Sequence, residues 1–251
     1  MRRHMTVAGL LLMVAMAPLG QAAPPAGAGK GSSREQGPLP YFSLRKPPRN
    51  AVILFNGRDL KNWHQRDGRP AVWKVEDGVM TATEGDLLTT ETFTDAFLHV
   101  EFRTPNMPDV TGQGKGNSGV YVQGRYEIQV LDSNGINLPG KGDCGAIYGQ
   151  FAPLVNACRP PLKWQTYDII FRSARVDGAG KVTEPARITV FQNGMVIQNN
   201  VVTLGPTPGN VDDNVGQPGP LLLQAHGNPV QYRNLWLVHL PLKGSDTYEP
   251  R

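Results

Sequence analysis

Short runs rich in β-branched and aromatic residues, separated by Gly, Pro, Asn or Asp, fill the chain from residue 50 onward. No window of a dozen residues keeps an apolar period of 3.6 without Gly or Pro, so we expect only short helical turns, for example at 57–60. The predicted strands are 51–55, 72–75, 79–83, 97–103, 119–123, 126–131, 165–172, 186–192, 196–203, 220–225 and 231–240. This pattern predicts an all-β fold, with two antiparallel sheets stacked as a single jelly-roll β-sandwich around a cleft.

Alternation within the run 97–103 shows how the sheets should face the solvent. Leu98 and Phe102 fall on one side of the predicted strand, and His99 and Glu101 fall on the other. An antiparallel strand with one wet face has this pattern. We therefore expect His99 to lie at the surface.

The first 23 residues resemble a secretory signal peptide. Arg2 and Arg3 precede an apolar run at 7–17, and small residues follow at 20–23. The run is short for a membrane span, although an uncleaved N-terminal anchor is the alternative. No later segment approaches the length of a span. We expect an exported protein that is periplasmic or secreted and has no membrane span once the signal is removed.

Composition divides the remaining chain into three parts. Residues 24–49 are rich in Pro, Gly, Ser and Lys and predict a disordered leader, because such segments bury too little apolar surface to offset chain entropy. Residues 50–241 are enough for one sandwich domain, and 242–251 form a C-terminal tail. The formal charge of +4 is spread along the chain, so nucleic acid is not an expected partner. Oligomeric state is left open by the sequence.

Two cysteines, Cys144 and Cys158, lie close together in the sequence. In an exported protein such a pair predicts a disulfide, which would stabilise the fold by about 3 kcal/mol in the chain-entropy model. Two thiols without histidines at ligand spacing are too few for a structural zinc site.

The run YEIQVLD carries a carboxylate into an otherwise apolar strand. Glu127 and Gln129 share one face, and that face would suit a carbohydrate cleft. Asp132 has the opposite parity unless a β-bulge intervenes. The alternative is an edge strand whose polar face meets water.

Several phrases occur together in a characteristic order: LFNGRDLKNW, VWKVEDGVM, GNSGVYVQGRYEIQVLD, CGAIYG, LLLQAHG and YRNLWL. In that order the chain resembles the 3-keto-disaccharide hydrolase domain family, a jelly roll related to the concanavalin A-like lectins and glucanases. The resemblance covers residues 50–240. It implies an exported glycoside hydrolase with a saccharide substrate and, for active members, cleavage of glycosides whose sugar carries a ketone at carbon 3.

The resemblance also suggests which residues act. Glu127 matches the glutamate of the family's strand and is the expected catalytic base or metal ligand; His226 could act as acid, base or ligand. Arg233 could stabilise an enolate, or it could form a core ion pair with Glu127. The expected substrate-binding residues are Asn117, Ser118, Gln129, Asp132, Lys141, Trp164 and Gln224. No cofactor is certain, although a divalent metal held by Glu127 and His226 would fit enolate chemistry.

Three other functions compete with this one. A carbohydrate-binding module would pave the cleft with aromatic rings and leave Glu127 isolated. A conventional glycosidase would use Glu127 and Asp132 as a pair of carboxylates on one face. An envelope-associated structural protein would bury the same face against a partner.

Overall fold

The computed structural model describes residues 46–242, whose backbone consists of strands, turns and loops apart from one 3₁₀ turn at Gly112–Gly114. The strands are β1 Val52–Phe55, β2 Trp63–Gln65, β3 Lys74–Glu76, β4 Val79–Thr81, β5 Leu87–Phe93, β6 Ala96–Arg103, β7 Ser118–Val122, β8 Tyr126–Val130, β9 Gln165–Arg172, β10 Arg175–Val176, β11 Val182–Glu184, β12 Arg187–Gln192, β13 Met195–Val202, β14 Gly219–Leu223 and β15 Gln231–His239. The helical turn expected at 57–60 is wrong, because a bend at 57–58 and an irregular loop at 59–60 occupy those positions.

Two antiparallel sheets make up the architecture. Eight strands form the larger sheet in the order β13-β12-β9-β6-β15-β4-β3, and β1 pairs with β15. Five strands form the smaller sheet in the order β2-β5-β14-β7-β8, while β10 and β11 form a separate ribbon. The predicted all-β, jelly-roll sandwich is confirmed.

The core lies between the two sheets and takes alternate side chains from each. Val100 and Ile169 of the larger sheet, together with Val120, Ile128 and Leu223 of the smaller one, are fully buried there. Because strand side chains alternate, the neighbouring positions of β7, β8 and β14 must point away from this core. The candidate chemistry of the sequence therefore lies on the outer face of the smaller sheet.

The expectation that His99 lies at the surface is wrong. β6 is paired on both sides, with β9 and β15, and its outer face is covered as well as its inner one. His99 Nδ1 lies 2.6 Å from Asp168 Oδ1, and its ring stacks on Trp236 at 5.0 Å between centroids. The nearby Glu101 accepts a 2.7 Å hydrogen bond from Arg233 Nε. A buried polar cluster takes the place of the expected wet face.

The expected disulfide is not formed, since both cysteines are free thiols. The neighbouring Cys144 thiol and burial raise the pKa of the Cys158 thiol. Cys144 Sγ also lies 3.2 Å from the Tyr167 hydroxyl and accepts from Gln192 Nε2 at 3.4 Å. Cys158 is only partly buried, and its Sγ accepts from Gln165 Nε2 at 3.6 Å. Polar contacts thus surround both thiols.

No helix within residues 46–242 has the length and apolar character needed to cross a bilayer. The predicted signal peptide at 1–23, nearly all of the predicted leader and the tail from residue 243 lie outside the described residues.

The buried cluster around Glu101 should contribute strongly to stability. Burial alone would raise the pKa of Glu101, but hydrogen bonds from His99, Asn234 and Arg233 lower it to about 2. Its contribution is therefore complete above the ordinary value of 4.5 and is lost as the pH falls towards about 2. Glu101→Gln should lower the free energy of unfolding at pH 7 by about 3 kcal/mol, because His99 and Arg233 lose the negative charge that they contact. Urea unfolding at pH 7 and pH 3 measures this, and the difference should shrink at pH 3.

Glu91→Gln is the matched control, since the Glu91 ion pair with His239 (3.1 Å) is exposed. Exposed pairs contribute about 0 to 1 kcal/mol. Equal losses in the two variants at pH 7 would contradict the cluster's proposed contribution.

Candidate active site

A pocket of about 210 Å³ opens on the outer face of the five-stranded sheet. Its floor is formed by β7 and β8, and its walls are formed by loops and by the segment 224–226 that follows β14. The residues that line it are Gln113, Asn117, Tyr121, Glu127, Gln129, Tyr148, Pro208, Gly209, Gln224 and His226.

Strand register brings the central residues together. β7 and β8 pair so that Tyr121 lies opposite Glu127 and Gly119 lies opposite Gln129. A Cβ atom on Gly119 would come within 2.5 Å of Glu127 Oε1 and 2.8 Å of the Tyr121 ring. Glycine at this position therefore makes the space that the carboxylate occupies.

The Glu127 carboxylate is buried, with only 3% of the residue exposed, and it contacts neutral donors. The Tyr121 hydroxyl donates to Oε2 at 2.9 Å. When the Gln129 amide is oriented with its nitrogen towards Glu127, that nitrogen donates to Oε1 at 2.8 Å and to the Ser118 carbonyl at 3.2 Å. The salt bridges of residues 46–242 include none to Glu127.

Burial, with no ion pair to Glu127 among the salt bridges of residues 46–242, determines the protonation states of Glu127 and Tyr121. Burial raises the pKa of Glu127, the hydrogen bond from Tyr121 opposes it, and the charge of Asp86 adds a smaller increase, so that the net pKa is about 7. Burial and the charge of Glu127 also raise the pKa of Tyr121, which stays protonated and keeps donating. A carboxylate that titrates near neutrality is suited to accept a proton from a bound molecule.

Segment 145–148 extends the sheet beyond β8 and backs the carboxylate. Gly145 N–H donates to the Gln129 carbonyl at 2.9 Å, and Tyr148 N–H donates to the Glu127 carbonyl at 3.2 Å. These bonds fix Tyr148 in one wall of the pocket.

The loop 206–211 forms another wall of the pocket. The Pro208 carbonyl lies 3.0 Å from the Tyr121 hydroxyl, and Gln224 Nε2 donates to the same hydroxyl at 3.2 Å. The Glu127 backbone N–H donates to Thr207 Oγ1 at 2.9 Å, which ties this loop to β8. Tyr121 is thus held from both sides of the pocket.

Comparison with known proteins assigns the family. A family model described as the 3-keto-alpha-glucoside-1,2-lyase-like domain matches residues 50–238. The chain belongs to this family. The match confirms the resemblance predicted from the order of motifs and makes the chain a member of a carbohydrate-active family.

Solved structures agree with this assignment. A candidate glycosyl hydrolase from Parabacteroides distasonis ATCC 8503, whose crystal structure was determined at 2.13 Å, is 39% identical; the match covers 77% of this chain and 85% of that one, with a TM-score of 0.70. A second candidate glycosyl hydrolase from the same organism, at 2.00 Å, is 22% identical over 76% of this chain and 99% of its own, with a TM-score of 0.53, and shows the fold alone. No curated protein matches the chain.

Half of the expected site residues of this 3-keto-alpha-glucoside-1,2-lyase-like domain lie in the pocket. Glu127 and Gln129 share the outer face of β8, as their parity predicted, and Gln224 and His226 meet them from the end of β14. Asn117, just before β7, lies beside Gln129, with its side-chain oxygen 3.3 Å from the terminal amide group of Gln129. His226 is exposed at the rim.

Arg233 and Trp164 lie elsewhere, and the expectation that Arg233 acts beside Glu127 or forms an ion pair with it is wrong. Arg233 is on β15 of the larger sheet, where it pairs with Glu101 rather than Glu127. Trp164 lies under its guanidinium, 4.0 Å from ring centroid to carbon. The family resemblance suggested these two residues, and it did not specify on which sheet each would lie.

The remaining three expected contacts are also outside the pocket. Ser118 points into the sandwich, where its hydroxyl lies 2.7 Å from the Tyr232 hydroxyl. Asp132 follows β8 and is buried against Lys115 Nζ at 3.1 Å, so it does not form a pair with Glu127 in the pocket. Lys141 lies exposed on its loop.

The donor set does not suit a metal ion bound by the protein alone. Within residues 46–242 no group of three or more His, Cys, Asp or Glu side chains is placed to hold one. The pocket offers Glu127 and His226, and its other polar side chains are amides and phenols.

Sequence reasoning missed Tyr121 on β7 and four residues outside the strands: Gln113, Tyr148, Pro208 and Gly209. Tyr121 could have been found, because it shares parity with Gly119 on a strand that adjoins the Glu127 strand. The others come from loops whose path no periodic pattern encodes.

Replacing Glu127 should stabilise the fold in a pH-dependent way. Because the folded-state pKa lies above the ordinary value of 4.5, the wild type loses stability as the pH rises from 4.5 through about 7. Glu127→Gln carries no such charge, so its advantage over the wild type should grow by an amount on the order of 3 kcal/mol between pH 5 and pH 8. Urea unfolding at both pH values measures the change. A difference that does not vary with pH would contradict the raised pKa.

Proposed function

We propose that this protein cleaves 3-keto-glycosides by removing the proton on carbon 2, eliminating the group on carbon 1 and adding water. The observation that carries the proposal is the buried Glu127, whose pKa is raised to about 7 and which faces a pocket lined by amides and tyrosines. A base of this kind is about half ionised at pH 7, and its carboxylate form is basic enough to take a carbon-bound proton.

The chemistry follows from the ketone. A carbonyl at carbon 3 acidifies the hydrogen on carbon 2, and when Glu127 takes that proton the electron pair of the C–H bond moves onto the ketone oxygen as an enolate. The enolate then expels the oxygen on carbon 1 with its bonding pair, which leaves a double bond between carbons 1 and 2. A proton completes the departing hydroxyl, and water adds across the double bond to give the free 3-keto sugar. Atoms and electrons balance without an added oxidant or reductant.

The other pocket residues have roles that match their chemistry. Tyr121 holds Glu127 by a hydrogen bond, while Asn117 and Gln224 offer amide donors to sugar hydroxyls or to the enolate oxygen. His226 stands at the exposed rim, where an imidazole can supply the proton for the departing group.

Relatives support the same class of reaction. The family model carries the description 3-keto-alpha-glucoside-1,2-lyase-like, and the 39% identical protein from Parabacteroides distasonis is a candidate glycosyl hydrolase. Lyase and hydrolase descriptions agree with a route in which elimination precedes hydration.

Observations on the described residues favour this function over its competitors. A binding module should pave the pocket with aromatic rings, yet the tryptophans at 63, 73, 164 and 236 lie outside it and Glu127 is hydrogen-bonded rather than isolated. A conventional glycosidase built on Glu127 and Asp132 lacks its second carboxylate in the pocket.

The proposal includes export. The expected signal peptide at 1–23 is the support for placing the protein in the periplasm or outside the cell.

Glu127→Gln should abolish turnover of the ketone substrate. The purified mature protein should release the aglycone from a 3-keto-glucoside and leave the unoxidised parent intact, because only the ketone acidifies carbon 2. In deuterated water the wild type should also exchange the hydrogen on carbon 2, and the variant should lose both reactions by about 1,000-fold or more. Chromatography and proton NMR follow the two reactions.

Glu91→Gln serves as the control, since Glu91 lies outside the pocket. It should match the wild type. Release from the parent sugar, or turnover that survives in Glu127→Gln, would refute the proposed base.

Gly119→Ala should disable the same base without removing it. The new methyl group would lie where Glu127 Oε1 now sits, so the carboxylate must move, and misplacement by about 1 Å costs roughly 100-fold in rate. Steady-state kinetics with the 3-keto-glucoside measure kcat. Gly178→Ala is the matched control, because a Cβ there meets no atom within 4 Å. Wild-type kcat in Gly119→Ala would show that the position of Glu127 does not matter.

A further inference from the structure

Asp86 connects two walls of the pocket although it does not line it. It lies one residue before β5, and its Oδ1 accepts a 2.8 Å hydrogen bond from the Ala225 backbone N–H. Ala225 separates Gln224 from His226, both of which line the pocket. Asp86 therefore fixes the segment that carries one wall.

Arg66 connects Asp86 to a second wall, the loop 206–211. Its Nε donates to Asp86 Oδ2 at 2.7 Å, one terminal nitrogen donates to the Asn210 carbonyl at 3.2 Å, and the other donates to the Gly209 carbonyl. One guanidinium thus satisfies three acceptors with its fixed fork of donors, a geometry that lysine cannot reproduce.

The wall held by Arg66 touches the residue that holds the base. The Pro208 carbonyl lies 3.0 Å from the Tyr121 hydroxyl, and a Cβ on Gly209 would lie 2.7 Å from that hydroxyl. A small displacement of this wall would therefore move Tyr121, which donates to Glu127.

We propose that Asp86 and Arg66 are positioning residues that hold the two walls of the pocket at the spacing Glu127 and Tyr121 require for turnover. The catalytic half of this statement rests on the function proposed above. The pair is partly exposed, at 38% for the Arg66 side chain and 15% for that of Asp86, and such pairs contribute about 0 to 1 kcal/mol to stability. Its main effect is on geometry.

The chain offers a matched control in the same loop. Arg69 Nε donates to Asp67 Oδ2 at 2.6 Å, so this second pair has the same chemistry and lies three residues from Arg66. Its side chains are more exposed, and neither residue lines the pocket. Arg69→Met should change neither wall.

Hydrogen exchange tests the connection without any assumption about substrate. The amides of Thr207 and Val211 donate to the carbonyls of Arg125 and Gly124 and should be protected in the wild type. Arg66→Met and Asp86→Asn should increase exchange in the peptide 206–211 by about 10-fold or more, and Arg69→Met should not. Unchanged exchange in both variants would overturn the proposal, whatever the activity.

Kinetics then test the catalytic consequence. With the 3-keto-glucoside, Arg66→Met and Asp86→Asn should lower kcat by about 10- to 100-fold with little change in KM, because the walls no longer hold the base in place. Increased exchange with unchanged kcat would also overturn the proposal. Absence of turnover in the wild type would instead refute the proposed function, and exchange would still decide whether the pair connects the walls.

A pH profile separates positioning from loss of fold. Four titratable groups share the pocket with Glu127 or act on it. They are Tyr121 on β7, His226 after β14, Tyr148 in segment 145–148 and Asp86 just before β5. Asp86→Asn removes a charge that raises the pKa of Glu127, so the acid limb of kcat/KM should move to lower pH. Arg66→Met removes the cation that pairs with Asp86, so the negative charge of Asp86 should act more strongly on Glu127 and move the acid limb of kcat/KM to higher pH. A merely unstable variant would move neither.

Discussion

Burial of the Glu127 carboxylate without a cation is the constraint around which the pocket is arranged. An unpaired charge in a dry setting is costly, and the protein meets that cost with neutral donors: the Tyr121 hydroxyl and the Gln129 amide. The space comes from Gly119 on the neighbouring strand. Two strands in fixed register therefore supply the base, its donor and its room, which is why the site lies on the rigid sheet rather than on a loop.

A second buried glutamate shows that partners, not burial, decide the chemistry. Glu101 on the larger sheet is nearly as buried as Glu127, yet Arg233, Asn234 and His99 lower its pKa to about 2, and it remains charged over the physiological range. Glu127 has neutral donors, and its pKa is raised to about 7. The same side chain thus serves as a structural anion in one sheet and as a candidate base in the other.

Alternation along the chain predicted the fold well and the site in part. The strand expected at 165–172 matches β9, because its apolar residues recur with period two and polar turns bound it. β5 was missed since Thr89, Thr90 and Glu91 interrupt its apolar pattern. Parity grouped Glu127 with Gln129 because it depends only on local geometry, whereas the family resemblance supplied Gln224 and His226.

Pairing between strands is what the local pattern could not supply. Arg233 has a suitable charge for the site, but β15 joins the larger sheet, a fact determined by long-range pairing with β6. The local pattern predicts His99 at the surface, but pairing of β6 with β9 and β15 places Asp168 and Trp236 against its ring. The loop 206–211 has no period at all, although it forms a wall of the pocket.

Titration of the Glu127 carboxyl group tests the central claim most directly. Infrared difference spectra between the wild type and Glu127→Gln isolate the carboxyl band of this residue across the range from pH 4 to pH 9. The account predicts a midpoint near 7, because burial without a cation disfavours the charged form. A midpoint at or below the ordinary value of 4.5 would show that the carboxylate is solvated or paired, and it would contradict the account.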